Sequence, residues 1–219
     1  MQFPRRYERL QDAEIVALLV ATIAWGRREM ILRDAERMLL RLGSSPYLYL
    51  MQGDFSAWRE GNVHRTFFEQ NVRHYLRGLR SIYERHESLN AFFAQRGAED
   101  AWDVAALLSE ELLKANGTPD PLCIPRGFRQ SALKRLNLAL RWMVRRGSPV
   151  DLGLWDFLTP AQLYVPLDVH SAATARRFKL LGRKTNDRKA AEQLTATLRQ
   201  LRPEDPTYFD YALFGLDLQ

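Results

Sequence analysis

Cysteine is almost absent from this chain of 219 residues, which holds Cys123 alone. A single cysteine excludes an internal disulfide, a thiolate-held zinc and a four-cysteine iron–sulfur cluster within one chain. Apolar runs are short, and none reaches the roughly 20 residues that span a bilayer. The longest run, residues 15–25, follows two acidic residues and precedes two arginines, so it is a poor secretion signal. We therefore expect a cytoplasmic protein that is not bound to a membrane.

Lysine is scarce, although the net charge is +6. Arginine supplies most of the positive charge, and lysine occurs at only five positions, Lys114, Lys134, Lys179, Lys184 and Lys189. The planar guanidinium of arginine binds phosphate with two parallel hydrogen bonds, so the charge favours a polyanion, with nucleic acid first. The alternative is a GC-rich genome, which prefers arginine codons without any function.

Alternation of apolar and polar residues with period two is rare, so a sheet is improbable and the pattern predicts an all-α fold of nine or ten helices. The main predicted helices are Asp12–Trp25 with Asp12 as N-cap, Arg28–Leu42, Phe67–Gln95 with a break at Glu87-Ser88, Asp103–Ala115, Arg129–Arg146, Asp168 to about Leu181, Asp187–Leu201 and Asp205–Leu216. Residues 117–128 contain three prolines and two glycines. They predict a boundary between two lobes of one domain that covers residues 1–219.

The segment Tyr164-Val165-Pro166-Leu167-Asp168-Val169-His170 carries the clearest chemical signal. Proline favours an extended approach, and the aspartate then starts a helix, where its carboxylate accepts backbone N–H bonds at the positive end of the helix dipole. Aspartate is among the commonest N-caps, so a purely structural role for Asp168 is the alternative to a catalytic one.

This segment, with the helix that follows it, resembles the surroundings of the catalytic aspartate in the helix-hairpin-helix DNA glycosylases, such as endonuclease III and the archaeal 8-oxoguanine glycosylase. The early run A-L-L-V-A-T-I-A-W-G resembles their first apolar helix, but Trp25, Gly26 and Arg27 stand where those enzymes carry a polar wedge. The resemblance implies two helical lobes around a cleft. It puts Asp168 in the place of the catalytic aspartate and Lys134 in that of the lysine nucleophile. The usual L-P-G-V-G-x-K-T hairpin is missing.

A closer resemblance covers most of the chain. The motifs K-R-L-N-x-x-L-R-W-M-V-R, D-x-G-L-W, P-L-D-x-H and D-x-A-L-F-G-L, which begin here at Lys134, Asp151, Pro166 and Asp210, are similar to those of an uncharacterised bacterial family of the domain of unknown function 2400 type. This resemblance implies no activity.

Two main hypotheses of function follow. The first is a DNA glycosylase or abasic-site lyase, in which Lys134 attacks the sugar carbon of a flipped nucleotide and Asp168 stabilises the positive charge that develops. The second is a non-catalytic nucleic-acid-binding protein that kept the fold and lost the chemistry, as the missing hairpin suggests. A purely structural or protein-binding helical module is a distant third, so catalysis itself stays open.

Basic residues around these motifs are the candidates for contacts with double-stranded DNA: Arg27, Arg129, Arg135, His170, Arg176 and Arg177. A solvated face is the alternative for the arginines, and packing in the first helical turn is the alternative for His170. Trp142 and Trp155 flank the site and are the best base-stacking candidates, although large aromatic residues more often lie in the core. The four histidines have no metal-ligand spacing, so we expect no metal, no cofactor and a monomer.

Overall fold

The computed structural model describes residues 2–216, and helices dominate them. The ten α-helices in this part of the chain are α1 (Leu10–Thr22), α2 (Arg28–Leu40), α3 (Pro46–Gln52), α4 (Glu69–Tyr83), α5 (Leu89–Gln95), α6 (Ala101–Asn116), α7 (Lys134–Val144), α8 (Val169–Arg177), α9 (Arg188–Leu201) and α10 (Asp210–Gly215). Two short strands, β1 (Asn62–His64) and β2 (Phe67–Phe68), form an antiparallel hairpin that was not predicted. The all-α class is confirmed. Each helix in residues 2–216 is too short or too polar to cross a bilayer.

The chain divides into two compact units. Unit 1 comprises residues 1–98 and 104–126, and unit 2 comprises residues 99–103 and 127–219. The core of unit 1 contains α1, whose residues from Asp12 to Thr22 are all buried. The buried apolar cluster of unit 2 contains alanines of α8 and α9 beside Leu194, Leu198 and Leu213. Because alanine side chains are small, the helices of this unit pack closely.

Two acidic residues near the start of α1 accept hydrogen bonds from other helices. The prediction that Asp12 caps α1 is wrong, because α1 begins at Leu10 and the carboxylate of Asp12 accepts a hydrogen bond of 2.6 Å from the backbone N–H of Tyr47, in α3. Glu14 accepts a bond of 3.0 Å from the backbone N–H of Leu89, at the start of α5. Both carboxylates therefore supply acceptors to the free N–H groups that begin a neighbouring helix.

The predicted break in the helical segment of residues 67–95 is confirmed. Phe67 and Phe68 belong to β2, α4 ends at Tyr83, and the Oγ atom of Ser88 accepts a bond of 3.0 Å from the N–H of Ala91 to cap α5. Helix α3 was not predicted, although Ser45 at its N-cap and Pro46 at its first position are a usual start signal.

Helix α7 begins at Lys134, so the predicted start at Arg129 is wrong. Residues 129–133 are irregular, and Ser131 forms an isolated antiparallel bridge with Asp187. Leu133 has a φ of 47°, in the left-handed region that non-glycine residues seldom adopt, and it directly precedes Lys134. The bridge between Ser131 and Asp187 and the left-handed conformation of Leu133 therefore fix the chain where α7 starts. Helix α8 ends at Arg177, so it is shorter than the predicted helix, which extended to about Leu181.

Candidate active site around Lys134 and Asp168

The structure brings together the two residues that the sequence marks for chemistry. The Nζ atom of Lys134, the first residue of α7, lies 3.3 Å from the Oδ2 atom of Asp168, the N-cap of α8. The Lys134 side chain is 32% exposed and that of Asp168 is 13% exposed. Solvent therefore reaches part of the lysine side chain, while most of the aspartate side chain is enclosed by protein.

Backbone N–H groups hold the Asp168 carboxylate in place. Its Oδ1 atom accepts hydrogen bonds of 2.9 Å from the N–H groups of His170 and Ser171, and the Oγ atom of Ser171 accepts one of 2.9 Å from the N–H of Asp168. This reciprocal pair is a capping box. Because Oδ1 is engaged by the helix, Oδ2 is the oxygen that faces Lys134. The predicted N-cap is therefore confirmed, and capping leaves one oxygen available to a neighbouring group.

Helix α9 holds the extended segment that leads to Asp168. The backbone N–H of Val165 donates a hydrogen bond of 3.1 Å to the Oγ1 atom of Thr195, which is fully buried in that helix. Val165 and Leu167 are buried in the apolar cluster of unit 2. The carboxylate at the start of α8 thus rests on rigid elements rather than on a loose loop.

Helix α7 carries a second charged group two turns beyond Lys134, on the same helical face. The guanidinium of Arg141 is buried and forms ion pairs with Asp151, at 3.2 Å, and with Asp210, in α10. Arg145 extends this network, since its guanidinium binds Asp151 at 2.9 Å and Asp205 at 2.6 Å. Two guanidinium groups therefore share three carboxylates, and negative charge is in excess in this buried cluster.

Burial in this cluster changes the proton affinity of Asp210. Burial raises the pKa of this carboxyl to about 6; Arg141 opposes the rise, and the negative charges of Asp168 and Asp151 add to it. The pKa of Arg141 also lies above its ordinary value, because the attraction of Asp210 and Asp151 outweighs the effect of burial. The site thus contains a carboxyl group that exchanges a proton near neutral pH and that interacts with the charge of Asp168.

The candidate DNA-binding residues occupy different parts of the chain. Arg135 is half-buried beside Lys134, and Arg129 is exposed in a turn with its guanidinium 5.4 Å from the centre of the Phe128 ring. His170 meets Phe214 edge-to-face at 5.4 Å. Arg27 is exposed at the N-cap of α2, in unit 1, whereas the other candidates lie in unit 2.

Two arginines at the end of α8 already bind their own unit. Arg176 donates to the carbonyl of Arg183 at 2.8 Å and to the Asn186 side chain at 2.6 Å. Arg177 donates to the carbonyl of Leu216 at 3.1 Å. Both therefore have a structural role, and a phosphate would have to share their remaining N–H donors.

The two tryptophans are core residues in this structure. Trp155 is fully buried and Trp142 is 5% exposed. A buried ring presents no face to a nucleobase, so the structure does not support the interpretation of Trp142 and Trp155 as stacking platforms, and it gives them a packing role instead. Among residues 2–216, no group of histidine, cysteine and acidic side chains is arranged to hold a metal ion.

Sequence reasoning missed the Arg141 network. Arg141, Asp151 and Asp210 entered the sequence analysis only as letters of the motifs. The available signal was the seven-residue spacing from Lys134 to Arg141, which places both on one face of a helix. No spacing rule, however, connects Arg141 with Asp210.

Comparison with known proteins adds a family and no activity. Residues 1–219 match the family described as "Protein of unknown function (DUF2400)". No curated protein and no solved structure matches the chain significantly.

Proposed function

The chain belongs to this family of proteins of unknown function, and we propose that it is a DNA-binding protein of the helix-hairpin-helix glycosylase type that excises a damaged base and opens the resulting abasic site. The observation that carries the proposal is the distance of 3.3 Å between Lys134 Nζ and Asp168 Oδ2. An amine beside a carboxylate, in a basic helical chain that resembles these glycosylases around Asp168, matches the needs of the reaction.

The reaction begins when Asp168 accepts a proton from the Lys134 ammonium group, which frees the nitrogen lone pair. That lone pair forms a bond to C1′ of a flipped nucleotide while the C1′–N glycosidic bond breaks. The departing base keeps the electron pair of the broken bond and takes up the proton that Asp168 had accepted, so Asp168 becomes a carboxylate again. The C1′–O4′ bond then breaks as the sugar ring opens, O4′ keeps its electron pair and takes up the second proton of the amine, and a protonated Schiff base joins Nζ to C1′.

Strand cleavage follows from the Schiff base. Loss of a C2′ proton allows the C3′–O bond to break by β-elimination, and the 3′ phosphate leaves with that oxygen and its electrons. Hydrolysis of the Schiff base then returns the free amine. As its proton passes to the departing base, Asp168 regains the negative charge that stabilises the positive charge developing on the sugar, because its carboxyl group is held near that charge before the reaction begins.

A non-catalytic DNA-binding protein is the second candidate. The observation that favours it is the loss of the L-P-G-V-G-x-K-T hairpin, whose glycines would give backbone N–H groups to a phosphate. If the protein only binds DNA, the ion pair between Lys134 and Asp168 has a structural role and connects α7 with α8. Binding to duplexes would then fall with rising salt, and no strand would be cut.

Strand incision separates the two candidates. The full chain is incubated with a labelled duplex that carries one abasic site, and with one that carries 8-oxoguanine. We expect incision by the natural protein, loss of incision in Lys134→Ala and a large decrease in Asp168→Asn. Lys189→Ala is the matched control, because it removes an exposed lysine of unit 2 from α9. Salt-dependent binding without incision would support the second candidate, and equal incision by Lys134→Ala would refute the assignment of the nucleophile.

A further inference from the structure

Unit 1 has an open pocket of about 1160 Å³ that the proposed function does not use. The pocket lies between the segment from Gly53 to Glu60 and helix α4, and Ala115 of α6 completes its lining. Pockets of roughly 300–1,000 Å³ hold small ligands in proteins, so the space is sufficient for one. All the lining residues belong to unit 1.

Arginine gives this pocket its chemical character. Arg73, Arg77 and Arg80 follow one another at spacings of four and three residues, which puts them on one face of α4, and Arg59 adds a fourth guanidinium. A row of like charges on one helical face destabilises the helix when nothing compensates it. A bound anion would relieve this repulsion.

One of the four arginines is part of the pocket wall. The guanidinium of Arg80 donates to the carbonyls of Leu50 and Gly53 and lies over the Phe55 ring, 4.2 Å from its centre. It fixes the loop that forms the opposite side of the pocket. Within residues 2–216, Arg73 and Arg77 have no carboxylate within salt-bridge distance, whereas Arg6, Arg41 and Arg85 of the same unit form ion pairs.

The acidic side chains of the pocket do not neutralise it. Both carboxylate oxygens of Asp54 accept hydrogen bonds from Ser56, one from its N–H at 2.9 Å and one from its hydroxyl at 2.6 Å. Glu60 is exposed at the rim. Four guanidinium groups against two carboxylates leave the lining positive, with Arg73 half-buried and Arg77 exposed.

We propose that this pocket binds phosphate oxyanions through Arg73 and Arg77, with Arg59 as a third donor. Guanidinium groups bind phosphate with paired, charge-assisted hydrogen bonds, which are about twice as strong as neutral ones. The phosphate belongs to a small phosphorylated molecule or to a nucleic-acid backbone. This site is independent of Lys134 and Asp168, which lie in unit 2.

The first arm of the test uses inorganic pyrophosphate in calorimetric titrations of the full chain at low salt. We expect saturable binding, and an affinity at least about tenfold lower in Arg73→Gln/Arg77→Gln, because two charge-assisted contacts are lost. Arg77→Gln alone changes an exposed side chain, so it tests the site without disturbing the packing. The matched control is Arg28→Gln/Arg65→Gln, which removes two exposed charges of the same unit that do not line the pocket.

The second arm repeats the measurement with a duplex oligonucleotide at several salt concentrations. If the phosphate belongs to DNA, the Arg73→Gln/Arg77→Gln protein binds the duplex more weakly, and its salt slope is smaller by about 2 because two phosphate contacts are gone. An effect in the first arm alone identifies a small phosphorylated ligand. If neither probe distinguishes this variant from the control, the proposal is overturned. Lys134→Ala keeps either effect, so failure of the incision assay leaves this result intact.

Discussion

The Nζ atom of Lys134 lies 3.3 Å from the Oδ2 atom of Asp168, while the other carboxylate oxygen caps α8. One side chain thus has two separable functions, since Oδ1 serves the helix and Oδ2 faces the amine. A change that keeps a side-chain oxygen preserves the cap, whereas a change that removes the charge affects the pair with Lys134.

Substitutions at Asp168 separate these two functions. Asp168→Asn keeps an acceptor for the N–H groups of His170 and Ser171, so we expect its free energy of unfolding to stay within a few tenths of a kcal/mol of the natural value. Asp168→Ala loses the cap and costs about 1 kcal/mol. Urea denaturation measures both values. An equal loss in the two variants would mean that the charge pair, and not the cap, determines the stability.

Arg141 is expected to be the most sensitive position of unit 2. Arg141→Met leaves the carboxylates of Asp151 and Asp210 buried without this cation, and breaking a buried ion pair costs about 3–5 kcal/mol. Arg146→Met removes a positive charge from an exposed neighbour and serves as control. Adding Asp210→Asn to Arg141→Met should restore part of the stability. Equal denaturation midpoints for Arg141→Met and the control would contradict the network.

The Asp210 carboxyl makes stability depend on pH in a definite direction. Its pKa is raised from the ordinary 3.8 to about 6 in the folded chain, so folding takes up a proton between pH 3.8 and pH 6. The stabilisation is complete below pH 3.8 and is lost as the pH rises through 6. Between pH 7 and pH 5 it grows by about 1 kcal/mol.

Asp210→Asn tests this dependence, because an amide cannot take up that proton. The difference in unfolding free energy between Asp210→Asn and the natural protein should shift by about 1 kcal/mol against the variant on going from pH 7 to pH 5. Chemical denaturation at the two pH values measures the shift. A difference that does not change with pH would mean that the Asp210 carboxylate keeps its ordinary proton affinity.

Gly78 is expected to tolerate no side chain, because α4 and α6 approach each other closely there. A Cβ atom at Gly78 would lie 2.5 Å from the Cδ2 atom of Leu112 and 3.1 Å from its Cα atom. Gly78→Ala should cost about 1–3 kcal/mol through overpacking. Gly215→Ala is the control, since nothing lies within 4 Å of its Cβ position in α10. Thermal unfolding of both variants checks the prediction, and a Gly78→Ala midpoint at or above the natural one would refute it.

Local signals could be predicted from the sequence, and partners from other helices could not. The cap at Asp168 and the break before Ser88 depend on residues within a few positions, so their signals are contained in the chain itself. Asp12 has the same local signal, but its carboxylate binds the N–H of Tyr47 in another helix. Tertiary packing decides which helix donates its N–H groups to a given carboxylate, and local sequence rules do not predict this.

The contacts within the candidate site could not be predicted from the sequence either. Lys134 and Asp168 were selected by resemblance, and their separation in space could not be derived from their separation along the chain. The arginine-rich composition was visible, but the burial of Arg141 among carboxylates was not. Trp142 and Trp155 were chosen as stacking candidates because they flank the site in the sequence, but the packing covers their rings.

Borohydride trapping tests the central claim most directly. The full chain is mixed with a duplex that carries an abasic site and then reduced, so that a Schiff base becomes a stable amine, and peptide mapping locates the bond. We predict a covalent adduct on Lys134, formed by the natural protein and by Lys189→Ala and lost in Lys134→Ala. No adduct with the natural protein, or an adduct that persists in Lys134→Ala, would contradict the proposed role of Lys134.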